Sequence, residues 1–387
     1  MNRLPPQVRD LIHDLPDSKI REVSLNSIGK PGLLAFWFGE SDEETPDFVR
    51  EAAKAAIDAG ETFYAPNSGV EPLRAEIRSY MNRVYGGDFG LDRFTVTASG
   101  MNAIMLTFQA LVDPGDNVLV VSPVWPNCSE TIRIMGGEIR PVVLDEKDGI
   151  WSLDLQKLMD AADERTKAVF INSPGNPTGW MMSDAERDAI LEWTRKLGIW
   201  VISDDVYARL VYDRAHAPCF VEACDPDDRV ISINSFSKSW SMTGWRLGWI
   251  TAPPSLLQPL AKLNEYNIAG PTTFVQHAGV AALRDGDPYV DGLVERLRRR
   301  RDLVTQALSQ FPRVRYTQPD AAFYAFFAVD GMDDSLDFAL RLRNEANVGV
   351  APGIAFGPAG EGYLRLCFAS SEAALSEGME RLKPWLS

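Results

Sequence analysis

Ser235-Phe236-Ser237-Lys238-Ser239-Trp240-Ser241-Met242-Thr243-Gly244-Trp245-Arg246-Leu247-Gly248 is the stretch around which the chain is organised. The β-branched run Val230-Ile231-Ser232-Ile233 leads into it, and Leu247-Gly248-Trp249-Ile250-Thr251-Ala252 leaves it as a second expected strand. Burial in such a semi-apolar loop disfavours an ammonium, so Lys238 should lose proton affinity. A neutral amine can attack a carbonyl and form a Schiff base. Ser235, Ser237 and Arg246 offer donors for a phosphate nearby, arginine through its fork of N–H groups. A nucleophilic lysine beside a phosphate clamp points to a phosphorylated aldehyde cofactor, of which pyridoxal phosphate is the common one. The plainer alternative is a polar surface loop with one solvated lysine.

Outward from this stretch, apolar runs end repeatedly in polar clusters. Phe94-Thr95-Val96-Thr97-Ala98 runs into Ser99-Gly100-Met101-Asn102, after which an apolar helix is expected. A strand, a glycine turn and a helix start favour an anion, since the first amides and the helix dipole both face it. Val118 to Val121 ends at Ser122-Pro123-Val124-Trp125, and Ile139 to Val143 reads as the next strand. Ala168 to Ile171 ends in Asn172-Ser173-Pro174-Gly175-Asn176-Pro177-Thr178-Gly179, where two prolines and two glycines require an extended loop. Trp200 to Ser203 ends at Asp204-Asp205-Val206-Tyr207, where strand alternation puts the two carboxylates on opposite faces. Strands alternating with helices through residue 252 predict an α/β fold with a mostly parallel sheet and ligands at the carboxyl strand ends. Every polar cluster named falls at such an end.

The flanks read differently. Residues 1 to 30 are expected to form a polar arm with short helical turns, and Leu33 to Gly39 an apolar run ending at a glycine. Thr45 reads as a helix cap with Pro46 as first helical residue. After Pro253 the pattern is helical, then α+β, with strands near Ala322 to Val329 and Tyr363 to Phe368. The basic run Arg296 to Arg301, inside a helical pattern, reads as a solvated face.

Composition narrows the function. The 387 residues suffice for two domains, and a formal net charge of −15 argues against nucleic acid or an anionic membrane as partner. Four cysteines without CxxC spacing suit a reducing compartment, and no run reaches membrane-spanning length, so a cytoplasmic protein is expected. Three histidines, none at triad or metal-ligand spacing, and the absence of a GxxxxGK[ST] loop disfavour triad hydrolases, metal centres and P-loop NTPases.

These motifs, in order from about Gly39 to Arg365, resemble those of the class I/II aminotransferases, the aspartate-aminotransferase-like group of fold-type-I pyridoxal phosphate enzymes. The resemblance implies a large domain, 46–285, with a mostly parallel seven-stranded sheet between helices. Residues 1–45 and 286–387 would form a smaller α+β domain. It implies ping-pong transfer of an amino group from an amino acid to a 2-oxo acid, with a β-lyase or decarboxylase on the same scaffold as the alternative. Lys238 would form the Schiff base and move a proton between substrate and cofactor. Asp204 would face the pyridine nitrogen, and Tyr207, with Asn176 as its partner, would bond the ring oxygen. Gly100 and Met101 would offer amides to the phosphate beside Ser235, Ser237 and Arg246, with Trp125 stacked on the ring. Arg365, in Leu364-Arg365-Leu366, would fork onto the substrate α-carboxylate, assisted by Gly39 and Asn176. Tyr64 would reach the phosphate in a neighbouring subunit, making the site shared within a homodimer. Met101 stands where dicarboxylate-specific relatives place a cation, and no second arginine is evident for a side-chain carboxylate. An apolar or aromatic amino acid is therefore the expected substrate.

Overall fold

The computed structural model describes residues 8–387, so Met1–Gln7 of the expected arm lie outside the described residues. Seven strands form the large sheet: β1 (Phe94–Thr97), β2 (Asn117–Ser122), β3 (Glu138–Val143), β4 (Thr166–Asn172), β5 (Trp200–Asp204), β6 (Val230–Ser235) and β7 (Gly248–Thr251). Their spatial order is β1-β7-β6-β5-β4-β2-β3. β2 to β6 pair in parallel and β7 runs antiparallel to both neighbours. The β-branched and apolar residues of β2 and β6 are buried throughout, as expected of strands covered by helices on both faces.

The register explains how one edge collects the polar clusters. Gly248, at the start of β7, is level with Thr97 on β1 and with Ser235 on β6. Because β7 is reversed, Arg246 just before it emerges where the parallel strands end. Phe236 fixes the turn between β6 and Arg246. It is fully buried, with ring centroids 5.2 Å from both Trp240 and Trp249. Burying one such ring contributes about 2–3 kcal/mol.

A smaller antiparallel sheet, β8 (Val314–Arg315), β9 (Tyr324–Val329), β10 (Ala351–Pro352) and β11 (Tyr363–Cys367), has the order β8-β9-β11-β10. The apolar run after Leu33 contributes only a two-residue strand, Leu34–Ala35, which pairs with Val348–Gly349. Helices that carry side chains to the strand ends or to the core under the small sheet include α1 (Lys19–Ser24) in the arm, α2 (Gly100–Leu111) after β1, and α3 (Asp287–Leu308). Among the described residues no helix is long and apolar enough to cross a membrane.

Two local expectations are corrected. The helix expected at Thr45 starts at Asp47 with Pro46 as its cap. Thr45 Oγ1 instead donates to the Ser241 carbonyl at 2.6 Å and accepts from Trp245 Nε1 at 2.8 Å. A long-range pair of bonds has taken the hydroxyl that a cap would need. The basic run on α3 is not a solvated face throughout, since Arg300 and Arg301 are 8% and 7% exposed. Arg296 and Arg300, one helical turn apart, both grip Glu43, at 2.7 and 3.0 Å. Arg301 lies 4.2 Å above the Tyr212 ring.

Candidate active site

The carboxyl ends of the parallel strands and the small sheet enclose a cavity of about 500 Å³. Gly39, Gly100, Met101, Trp125, Asn176 and Asp204 line it, as do Tyr207, Ser235, Ser237, Lys238, Arg246 and Arg365. Of the residues expected from sequence only Tyr64 is elsewhere, 91% exposed beside an 83% exposed Phe63.

Lys238 sits on the single helical turn Phe236–Ser239, capped by Ser235, whose Oγ accepts from the Ser237 amide at 3.2 Å. Its Nζ donates to the Gly39 carbonyl at 2.5 Å and lies 5.7 Å from the Tyr207 ring and 5.8 Å from that of Phe323. Burial is the main force pushing its pKa from 10.5 down to about 8, with the Arg365 charge adding to it. Much of the amine is therefore neutral at slightly alkaline pH, as a nucleophile requires.

The two aspartates diverge as alternation predicts. Asp204 ends β5 facing the cavity, 6% exposed, with one long bond from the Val206 amide at 3.4 Å. Burial first, and then the Asp205 charge, raise its pKa to about 7. Asp205 turns away to accept from Ser203 Oγ at 2.6 Å and Ser232 Oγ at 2.5 Å, and burial raises it to about 6. Asp204 is thus a buried carboxyl facing open space, where a cationic ring nitrogen would stabilise its ionised form.

Arg365 projects from β11 and is 2% exposed. It donates through Nη1 to Asn176 Oδ1 at 2.9 Å and through Nη2 to the Trp37 carbonyl, while Nε is buried without a partner. A buried guanidinium that meets only neutral acceptors and keeps one donor free calls for an anion. Tyr207 and Asn176, expected together at the cofactor's ring oxygen, both line the cavity. Asn176 is taken by Arg365, and the Tyr207 hydroxyl meets that of Tyr324 at 2.6 Å. Burial raises the Tyr207 phenol well above its usual pKa. Gly39 is required by close approach, because a Cβ there would stand 1.9 Å from Tyr324 Oη.

At the opposite end lies a set of donors with no carboxylate among them. The first turn of α2 carries no acidic residue, and its amides at Gly100 and Met101 precede the first intrahelical bond. Ser235 Oγ and Ser237 Oγ lie 3.0 Å apart, and Arg246, in the left-handed region at φ 54°, gives one N–H to the Thr243 carbonyl at 2.6 Å. Pyridoxal phosphate fits this donor set: a cradle for the phosphate, a neutralisable amine for the aldehyde, and a buried acid for the ring nitrogen. Trp125, only partly buried, leaves an aromatic face for the ring.

Sequence reasoning missed several residues of the wall, among them Ser18, Ile20 and Arg21 of the arm, Ile104 of α2, and Asn127. Arg21, not singled out from the sequence, also lines the cavity. Nothing local signals it, because its position depends on how the arm folds over the cavity.

The model of the family "Aminotransferase class I and II" matches residues 34–382. A protein of Aquifex aeolicus described as a probable aspartate/prephenate aminotransferase is 36% identical over 91% of this chain and 90% of its own. The aspartate aminotransferase of Pyrococcus horikoshii is 33% identical over 95% of this chain and 94% of its own. Among solved structures, the Thermus thermophilus aspartate aminotransferase with maleate superposes with a TM-score of 0.91 at 31% identity, covering 98% and 99% of the two chains. The aromatic aminotransferase of Pyrococcus horikoshii gives 0.87 at 32%, covering 92% and 95%. Lyase or decarboxylase chemistry is not favoured by these relatives. The chain belongs to the class I and II aminotransferases of fold type I, pyridoxal phosphate-dependent enzymes that move an amino group from an amino acid to a 2-oxo acid.

Proposed function

We propose that this transfer divides its tasks among the residues of the cavity. Lys238 is the covalent anchor and afterwards the group that moves the proton at the substrate Cα. Asp204 holds the proton on the ring nitrogen, and Tyr207 bonds the ring oxygen. Gly100, Met101, Ser235, Ser237 and Arg246 hold the phosphate and Trp125 covers the ring. Arg365, positioned by Asn176, takes the α-carboxylate beside Gly39. When bound, the cofactor supplies an aldehyde that accepts the amino group and a ring that accepts the electron pair freed at Cα. The observation that carries this reading is one cavity holding a lysine depressed to about 8, a carboxyl raised to about 7 and a buried arginine with a free donor. Such opposed shifts mark groups that change charge state near neutral pH.

The substrates are an amino acid and a 2-oxo acid, and the active form is a homodimer in which Tyr64 completes the partner's phosphate site. Exposed aromatic side chains support the dimer, with Phe63, Tyr64 and Tyr266 83%, 91% and 87% exposed. Residues 46–285 form the cofactor-binding domain, and residues 1–45 with 286–387 form the second. The burial of Ile20, Val23 and Trp37 in one core with Leu297, Tyr324 and Leu364 supports that division. Four cysteines without a disulfide support a cytoplasmic location. Borohydride reduction of the loaded enzyme followed by peptide mapping should leave the pyridoxyl group on Lys238. An adduct on any other lysine would overturn the assignment.

A further inference from the structure

Gly39 and Glu40 line the cavity, and the segment they open is fastened on two sides before the helix at Asp47 begins. Toward the small sheet, the Asp42 amide donates to the Ala369 carbonyl at 3.0 Å, and the Asp42 carboxylate accepts from the Ser371 amide at 2.6 Å. Toward the lysine loop, Glu40 accepts from Thr243 Oγ1 at 3.2 Å, and Thr45 holds Ser241 and Trp245. Between these anchors Glu43 takes a fork from Arg296, Nε at 3.0 Å and Nη2 at 2.7 Å, and meets Arg300 Nη2 at 3.0 Å. The contacts run on to the lysine turn. Arg296 lies over the Tyr289 ring, 5.7 Å from its centroid, and Tyr289 Oη meets Ser241 Oγ at 2.7 Å. Ser241, three residues after Lys238, sits in the left-handed region at φ 50°, which a serine holds only with support. Glu43, Arg296, Tyr289, Ser241 and Thr45 thus close a ring that joins α3 to both sides of the bond between Lys238 and Gly39.

We propose that Glu43 is a positioning residue: gripped by Arg296 and Arg300, it holds the Gly39 carbonyl against Lys238 and keeps the amine shielded from water, ready for the cofactor's aldehyde. The inference rests on Lys238 being the cofactor's anchor. Besides Glu40 of the segment itself, the charged and titratable groups that face Lys238 are Arg365 and Cys367 of β11, Asp204 of β5, and Tyr207. None of these four bonds to Glu43, so loosening the segment acts on Lys238 chiefly through burial. Burial is the largest influence on the amine, holding it near 8, and a segment that lifts lets it climb toward 10.5.

The test follows, by absorbance, the capture of added pyridoxal phosphate by the cofactor-free full chain. Parent, Glu43→Gln, Arg296→Met and the double variant are compared, after urea unfolding has established that each is folded. A rise of about one pH unit in the amine's midpoint makes capture by Glu43→Gln about tenfold slower at about pH 7 but leaves it within about twofold of the parent at about pH 10. Arg296→Met breaks the same grip from the other side, so it should lose as much, and it carries the comparison if Glu43→Gln does not fold. The double variant should be no slower than either single one, because all three remove one contact. Parental capture at neutral pH, a loss that is equal at every pH, or losses that multiply in the double variant would overturn the proposal. Borohydride mapping of the parent separates the two readings. An adduct away from Lys238 overturns the anchor and this role with it, whereas an adduct on Lys238 with unchanged capture overturns this role alone.

Discussion

Asp204→Asn should stabilise the cofactor-free protein at alkaline pH while abolishing most activity. The folded chain raises this carboxyl from 3.8 to about 7, through burial first and the Asp205 charge second. Between those two values the native state holds a proton that the unfolded chain has released, so stability falls as pH rises. The cost is absent below about pH 4 and complete above about pH 7. Just over three pH units at about 1.4 kcal/mol each make it about 4 kcal/mol, an upper bound because ionised Asp205 shares in it. Asparagine keeps the acceptor for the Val206 amide, now at 3.4 Å, and cannot ionise. The variant's advantage should therefore grow by about 2 kcal/mol from about pH 5.5 to about pH 8.5. Urea unfolding of both cofactor-free proteins, followed by circular dichroism at each pH, measures it. With pyridoxal phosphate bound, a ring cation would face the carboxylate and the parent should regain its lead. An advantage that is constant or shrinks with rising pH would refute the reasoning, for Asp204 would then be ionised and compensated in the folded chain.

Gly39→Ala should cost most of the activity, because the new Cβ would collide with Tyr324 Oη at 1.9 Å. Adding Tyr324→Phe leaves the nearest ring atom at 3.0 Å and should restore part of it, and no recovery would show that the collision is not the cause. Shared sites predict complementation: Lys238→Ala and Tyr64→Ala, unfolded and refolded together, should regain about a quarter of parental activity, since half the dimers are hybrids with one whole site each. Activity no higher than the mean of the two parents would sink the shared-site reading.

The sequence made the strand ends legible because each cluster is local. A glycine turn after β1, the Pro-Gly loop after β4 and the Asp pair after β5 each carry their own backbone signal. Parallel pairing then brings them to one edge, which needs only the order of elements. What was not legible depends on contacts far apart in the chain. Tyr324 reaches Tyr207 across 117 positions, hydroxyl to hydroxyl. Arg21 becomes a wall residue only when Ile20 and Val23 find the small-sheet core. The basic run on α3 carried a missed hint, since Arg296 and Arg300 are four apart and share a face that must meet something.

The placement of Lys238 and Asp204 shows why both can work near neutral pH. Had they paired directly, attraction would raise the lysine and lower the aspartate, fixing both as ions. Instead Lys238 Nζ turns to the Gly39 carbonyl and Asp204 takes only the Val206 amide. Kept apart, each is governed by burial, which drives the amine down to about 8 and the carboxyl up to about 7. A buried charge that lacks its partner is unfavourable to the fold. The surrounding core bears that cost, with Phe236, Trp240 and Trp249 packed beneath the lysine turn and fully or nearly fully buried. Ligand binding then relieves it, since a cation opposite Asp204 and anions opposite Arg246 and Arg365 complete pairs that the protein leaves open. The free energy stored in those open positions is available only to a ligand that carries the matching charges at the matching places, so the same arrangement that makes the groups reactive also selects what can occupy the cavity.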